Sequence, residues 1–215
     1  LAVYGANMGT LLEIEATAVP AEKGKGTYNI TGVVDEEEIG GGSRTLRRKS
    51  MAKGSVENVL TVLQRIGLNP SNYHLHINFP GGTPIDGPSA GLAIATAIAS
   101  AIKQVPVTNQ IAMTGELGIH GKVKPVGGVV AKVEAAFQAG ATTVLIPKDN
   151  WQSLFEGLEG LRVIPVETLG EVFRHVFGPE AEKNLELPIG GDLFAPATAP
   201  APFLHAESPS QGGAM

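Results

Sequence analysis

The stretch from Pro80 to Lys103 constrains this chain more than any other. Its first part is rich in glycine and proline and ends at Ser89, and its second part is small and apolar on almost every side. Since a helix that is apolar all round is normally buried, we expect a buried helix over residues 92–102. Ser89 would then lie where a loop meets the first turn of that helix, beside unpaired backbone N–H groups and the positive end of the helix dipole.

Two roles for Ser89 are compatible with that position. Backbone N–H groups at the start of a helix can stabilise a developing oxyanion, which suits a serine nucleophile. A serine at a helix start is also commonly an N-cap and nothing more. The residues of this stretch leave both roles open.

Composition excludes several kinds of chemistry. The chain has 215 residues, 43% of them hydrophobic, which suits one globular domain or one domain with a tail. A net charge of -5 gives no reason to expect a nucleic acid or an anionic membrane as partner. The absence of cysteine excludes a thiol nucleophile, disulfides and thiolate metal sites. We find no phosphate-binding loop, no metal-ligand motif and no apolar run long enough for a membrane span.

The hydrophobic pattern predicts an α/β fold in which helices pack on a mixed sheet. Predicted helices, besides the buried one, are 50–66, 129–139, 150–158 and 167–177, and predicted strands include 74–79, 111–114, 142–146 and 161–165. Two pairs of β-rich runs predict hairpins, namely 10–19 with 27–34, and 117–119 with 122–126. In the helix at 129–139, the spacing predicts that Val129, Val133, Ala136 and Phe137 face the core.

Two segments are expected to lie outside the regular structure. Residues 35–49 run from acidic residues through glycines to basic residues, which predicts an exposed, mobile loop. We predict a domain over residues 1–178 and a tail over 179–215. The tail is of low complexity and largely disordered, because it is rich in alanine, proline and small polar residues.

A serine nucleophile needs a base, and histidine is one candidate. The string from Gly87 to Gly91 satisfies G-x-S-x-G, the nucleophile elbow of Ser-His-Asp α/β-hydrolases, with His175 as its late histidine. The elbow requires a strand leading directly into the serine, whereas loop residues precede Ser89. Asp86 could be the acid of such a triad, or it could hold the loop by accepting backbone N–H bonds.

Lysine is the other candidate base. Lys132 lies in the first turns of the helix predicted at 129–139, among three valines. Burial and a positive helix N-terminus both favour the neutral amine, which can take a proton from serine. Lysine more often lies on a solvated face, and these residues alone do not show that Lys132 meets Ser89.

Several motifs taken together resemble the proteolytic domain of Lon proteases, with features of the bacterial LonB type. The segments that carry the resemblance are 86–91, 113–116, 121–128 with Lys132, and 140–147. The separation of 43 residues between Ser89 and Lys132 is similar to that of the family's serine–lysine dyad. The resemblance covers about residues 1–178 and excludes the tail.

The resemblance implies roles for individual residues. Ser89 would be the nucleophile and Lys132 the general base, with Thr114 hydrogen-bonded to the lysine. Asp86 and Glu116 match carboxylates that support the family's site. The residues implied for the oxyanion site and its loop are Gly87, Pro88 and Ala90.

It also implies a setting for the whole protein. We expect a cytoplasmic serine endopeptidase that assembles as a homo-hexamer and hydrolyses unfolded or damaged polypeptides. ATP and Mg would bind only at a separate ATPase module, and this chain, which begins at Leu1, would be an isolated domain or a protein without that module. We expect no cofactor or metal, no nucleic acid and no membrane segment in this chain. The alternatives left open are the Ser-His-Asp hydrolase and a non-catalytic oligomerisation domain of the same fold.

Overall fold

The computed structural model describes residues 2–4, 8–33, 36–39, 46–81 and 87–178. Its helices are α1 (Met51–Arg65), α2 (Gly91–Lys103), α3 (Val129–Gln138) and α4 (Leu169–Phe177). Single 3-10 turns lie at Pro70–Asn72, Pro88–Ala90, Lys148–Asn150 and Ser153–Phe155. Among these residues no helix is both long and apolar enough to cross a membrane.

The strands form several small sheets. In chain order they are β1 (Ala2–Tyr4), β2 (Met8–Thr10), β3 (Glu15–Pro20), β4 (Tyr28–Thr31), β5 (Glu36–Ile39), β6 (Leu46–Lys49), β7 (Tyr73–Asn78), β8 (Ile111–Met113), β9 (Glu116–Leu117), β10 (Val123–Lys124), β11 (Thr143–Pro147) and β12 (Arg162–Val166). One sheet has the order β12-β11-β8 and is parallel, and another has the order β3-β7-β4 and is mixed. The remaining strands form the antiparallel pairs β1-β2, β5-β6 and β9-β10.

The predicted α/β class is confirmed, and α2 lies at the centre of the main core. Its side chains are small or aliphatic nearly throughout, so α1, α4 and strand β3 can pack around it. Leu92, Ile94 and Ile98 are fully buried there. The prediction that this helix is buried is therefore confirmed, and α1, α3 and α4 also begin and end close to their predicted limits.

A second, smaller core lies between α3 and the parallel sheet. Val129, Val133 and Ala136 pack there with Val144 and Ile146 of β11. Strand β2 crosses the same helix so closely that a Cβ at Gly9 would lie 2.2 Å from the carbonyl oxygen of Ala131. A glycine is required at that crossing, because any side chain would push the strand away from α3.

Three predictions of local structure are wrong. The runs 10–19 and 27–34 do not form a hairpin, because β7 inserts between β3 and β4 and pairs with both. The segment 35–49 is not simply a loop, since β5 and β6 pair antiparallel within it. Residues 150–158 hold only a 3-10 turn in place of a helix. The prediction for the tail lies outside the described residues.

Candidate active site

Ser89 lies in the 3-10 turn that leads directly into α2. The turn begins after Gly87, whose φ of 104° is a conformation that favours glycine. The N-cap position of α2 belongs to Ala90, and no side chain caps either the turn or the helix. The expectation that Ser89 is an N-cap is therefore wrong, and its partly buried hydroxyl is not used in capping.

The backbone of Ser89 is fastened to the segment that follows β8. Its carbonyl oxygen accepts hydrogen bonds from the Gly115 N–H at 2.8 Å and from Thr114 Oγ1 at 3.3 Å. The start of α2 lies against the same segment, because a Cβ on Gly91 would be 2.8 Å from the nitrogen of Leu117. A close approach of this kind leaves the reactive turn little freedom to move relative to Thr114.

Lys132 reaches the same place from α3. The side chain of this lysine is only 3% exposed, and Nζ donates a hydrogen bond to Thr114 Oγ1 at 3.2 Å in a buried contact. Thr114 is itself fully buried. A hydroxyl has one proton and two acceptor lone pairs, so Thr114 can donate to Ser89 and accept from Lys132 at the same time.

The surroundings of this amine lower its pKa and so increase the neutral fraction. Burial lowers the pKa of Lys132 from the ordinary 10.5 to about 8, because an ammonium group loses its hydration there. Lys132 is also the fourth residue of α3, where the positive end of the helix dipole disfavours a cation further. Roughly a tenth of the molecules would hold a neutral amine at pH 7, enough for a working base.

Thr114 thus connects the side chain of Lys132 to the backbone of Ser89 through two hydrogen bonds. Among the described residues no direct hydrogen bond joins Lys132 Nζ to Ser89 Oγ. A neutral amine that donates one N–H to Thr114 still has a lone pair to accept a proton. The chemistry available here is proton abstraction from a hydroxyl at a helix start, as required for acyl transfer.

Comparison with known proteins identifies the family. The sequence profile of the Lon protease (S16) C-terminal proteolytic domain matches residues 2–178. The chain belongs to this family. The resemblance inferred from the motifs is confirmed, and the Lon fold accounts for the mixture of small sheets and packed helices described above.

Curated Lon proteases are similar over most of this chain. It is 56% identical over 185 residues to Lon protease 2 of Bacillus subtilis, covering 86% of this chain and 33% of that protein. It is 44% identical over 179 residues to Lon protease 1 of Thermus thermophilus, covering 77% of this chain and 20% of that protein. It is 38% identical over 190 residues to the archaeal Lon protease of Archaeoglobus fulgidus, covering 86% of this chain and 28% of that protein. The chain therefore spans a third or less of the length of these relatives.

The other residues implied by the Lon motifs have different positions. Glu116 lies on β9 and pairs with Lys124 across the β9-β10 hairpin at 3.6 Å, where both side chains are partly exposed. Such a surface pair contributes between 0 and about 1 kcal/mol, and a role of Glu116 in the site stays a prediction. Asp86 lies outside the described residues. Pro88 has no N–H to offer an oxyanion, whereas its carbonyl accepts bonds from the Gly91 N–H and from Ser55.

Among the residues that the structure describes, no histidine is hydrogen-bonded to Ser89. His175 is exposed on α4, and His120 is exposed and bonded to Arg65. His74 and His76 are exposed and bonded to Thr27, just before β4, and to Thr31 within it. Ser89 lies within a 3-10 turn, whereas a nucleophile elbow places its serine directly after a strand. Within the described ranges, the geometry that a Ser-His-Asp site requires is thus not found around Ser89.

Sequence reasoning missed two residues that hold the site together. Asn150 forms two hydrogen bonds with the backbone of Val126, accepting from its N–H at 2.8 Å and donating to its carbonyl at 3.0 Å, and so fixes the approach to α3. Ser55, 4% exposed on α1, lies 3.5 Å from the carbonyl of Pro88. Neither residue carries a local signal, because each acts on backbone 24 or more residues away.

A metal site is a separate question. No group of three or more histidine, aspartate or glutamate residues that could hold a metal ion occurs among the residues that the structure describes.

Proposed function

We propose that this chain is the proteolytic domain of a Lon-type serine endopeptidase, with Ser89 as nucleophile and Lys132 as general base. The observation that carries the proposal is the buried amine of Lys132, which is one threonine hydroxyl away from the backbone of Ser89. Membership of the Lon proteolytic family supports it. We assign the activity to residues 1–178.

The first half of the reaction forms an acyl-enzyme. Neutral Lys132 takes the proton of Ser89 as Oγ attacks the carbonyl carbon of the scissile peptide bond. Backbone N–H groups at the start of α2, including that of Ala90, hold the oxyanion, and one such donor is worth about 3 kcal/mol. The Lys132 ammonium then gives its proton to the leaving amine, so that the C–N bond breaks.

The second half releases the product by hydrolysis. Water attacks the ester carbon and gives a proton to Lys132, and Ser89 leaves with a proton returned from the ammonium. Thr114 orients the amine throughout, because its own proton is directed to the carbonyl of Ser89. The pKa of about 8 matches this double task of base and acid near neutral pH.

We further propose the setting that the family resemblance implies for the complete protein. Its substrates are unfolded or damaged polypeptides, the domains assemble as a homo-hexamer in the cytoplasm, and a separate ATPase module that binds ATP and Mg supplies energy. Under this proposal the chain itself needs no cofactor for peptide hydrolysis.

Digestion of an unfolded protein tests the catalytic proposal. We expect cleavage of casein by the full chain, with covalent labelling of Ser89 by a fluorophosphonate probe. Ser89→Ala and Lys132→Ala should each abolish both cleavage and labelling while thermal unfolding stays cooperative. Full cleavage by either variant would exclude the dyad. Cleavage that survives Lys132→Ala and is lost in His175→Ala would favour a histidine-based hydrolase.

A further inference from the structure

An apolar groove lies on the face of α3 that points away from Lys132. Its floor is formed by the buried side chains of Val133, Phe155 and Leu161, and its rim by Phe137 and Leu154, which are 51% and 50% exposed. The cavity measures about 190 Å³. Half of the large apolar side chains that are exposed among the described residues lie at this groove, namely Val130, Phe137, Leu154 and Leu158, and such clustering is typical of a contact site.

The size of the groove limits what can occupy it. Pockets for drug-sized ligands and cofactors measure about 300–1,000 Å³, so this groove admits only one or two side chains. Its apolar rim consists of a few partly exposed side chains, too few to supply the ~800 Å² per partner that a stable dimer buries. A short peptide segment fits these limits better than a small molecule or a second copy of the domain.

The charges at the rim select among peptide segments. Glu134 and Glu159 line the groove, and both are exposed. Among the described residues that line this cavity none is a lysine or an arginine. Arg162 lies in the adjacent depression together with Glu156, which has the opposite charge. The rim is therefore negative and complements a lysine or arginine next to the inserted apolar side chain.

We propose that this groove is an exosite that binds a segment of unfolded polypeptide in which a large apolar side chain is flanked by basic residues. The proposal rests on the proposed function, because the occupant is a stretch of substrate. The groove and Lys132 lie on opposite faces of one helix, about 10 Å apart across its diameter. Ten extended residues span roughly 33 Å, so one chain can occupy the groove and reach Ser89. Binding at the groove raises the local concentration of the substrate at the dyad.

Binding is tested first without catalysis. Full chain carrying Ser89→Ala is titrated against a fluorescein-labelled peptide with the core Lys-Leu-Phe-Lys, and fluorescence anisotropy is recorded. We expect saturable binding of this peptide. A peptide with the core Glu-Leu-Phe-Glu should bind with an affinity at least tenfold lower. Phe137→Ser and Glu134→Lys should each lower the affinity of the protein for the Lys-Leu-Phe-Lys peptide about tenfold. The control Ile119→Ser removes a side chain of similar exposure, 48%, outside the groove and should leave affinity unchanged.

Kinetics then separates the exosite from the dyad. In the otherwise unmodified chain, Phe137→Ser should raise KM for casein several-fold, with kcat unchanged and with no effect on a tetrapeptide too short to reach the groove. Equal binding of the acidic and basic peptides, or affinity unaffected by both groove variants, would overturn the exosite. Sedimentation showing self-association that Phe137→Ser abolishes, without peptide binding, would also overturn it and indicate a contact between copies. Groove-dependent binding without any cleavage by unmodified chain would instead contradict the catalytic proposal.

Discussion

Helix α3 presents a lysine on its inner face and a phenylalanine on its outer face. Lys132 is 3% exposed, whereas Phe137 is 51% exposed, although lysine usually lies in water and phenylalanine in the core. The amine of Lys132 is therefore held without full hydration, and the aromatic ring of Phe137 is in contact with water. The burial of Lys132 is unfavourable for its charged form, and such perturbed groups are typical of functional sites.

The two faces also differ in how they are enclosed. The inner face contacts Thr114, and β2 crosses the helix at Gly9, so Lys132 has a fixed partner and little water. The outer face borders the segment 154–161, which leaves the groove open. One helix can thus provide a preorganised base on one side and an open apolar surface on the other.

The largest expected effect is the loss of the amine from the inner face. Lys132→Met keeps the apolar stem of the side chain and removes its nitrogen, so we expect kcat/KM for an unfolded protein to fall about 10³-fold or more. The unfolding free energy should stay the same or rise, because a buried charge is lost. Activity within tenfold of the unmodified chain would contradict the assignment of Lys132 as base.

The next effect concerns stability as a function of pH. Between pH 8 and 10.5 the unfolded chain keeps a proton on Lys132 and the folded chain does not, since burial lowers the pKa to about 8. The unfolding free energy should therefore rise with pH across this window relative to Lys132→Met, by up to about 3 kcal/mol. Urea unfolding of both proteins at pH 7 to 10 measures the difference. Parallel curves would mean that the amine is solvated.

The same titration should govern activity. If neutral Lys132 is the base, log kcat/KM rises with a slope of one below pH 8 and levels off above it, as the pKa of about 8 requires. Stopped assays with a fluorogenic peptide from pH 6 to 9 measure this profile. A profile controlled by a group with a pKa near 6.5 would indicate a histidine base instead.

A smaller effect is expected at Thr114. Thr114→Val removes the acceptor for Lys132 and the donor to Ser89 while keeping the volume, and kcat should fall roughly 10- to 100-fold. Thr114→Ser should retain most of the activity. The matched control is Thr96→Val, because Thr96 is also buried but bonds to the sulfur of Met113. Equal losses in the Thr114→Val and Thr96→Val variants would assign Thr114 a structural role only.

The smallest effect compares two valines on the groove side of α3 that differ in burial, Val133 on the floor of the groove and Val130 at its edge. Val133→Ala removes a buried side chain and should lower the unfolding free energy by about 2 kcal/mol. Val130→Ala removes a side chain that is 42% exposed. This change should alter the unfolding free energy by less than about 0.5 kcal/mol, since alanine is also the better helix former. Thermal or urea unfolding measures both. Equal losses would show that the outer face is covered in solution.

Helix predictions succeeded where a local pattern was sufficient. The apolar run of α2 and the 3.6-residue periodicity of α1 and α4 identified these helices, because each buries a face that its own sequence defines. The prediction that Phe137 faces the core was wrong, because Phe137 is 51% exposed and is not part of the small core between α3 and the parallel sheet. Ala136 occupies that core and is fully buried.

Strand pairing was predicted less well, for a different reason. The runs around β3 and β4 are rich in β-forming residues, yet both pair with β7, more than 40 residues further along the chain. The composition of β5 and β6 suggested a loop, although the backbones of the two strands pair antiparallel, with Glu37 and Arg48 as register partners. Pairing partners are chosen by the whole fold, so local composition could not identify them.

The amino-acid sequence by itself determined the residue types of the site and their spacing, with a serine at the start of an apolar helix and a lysine 43 residues later. The tertiary structure alone decided that Lys132 is dehydrated and that Thr114 lies between it and Ser89. The physical reason is that the hydration of an amine depends on every element packed around it. Here those elements are a distant strand, a turn and a helix, which no local pattern of residues describes.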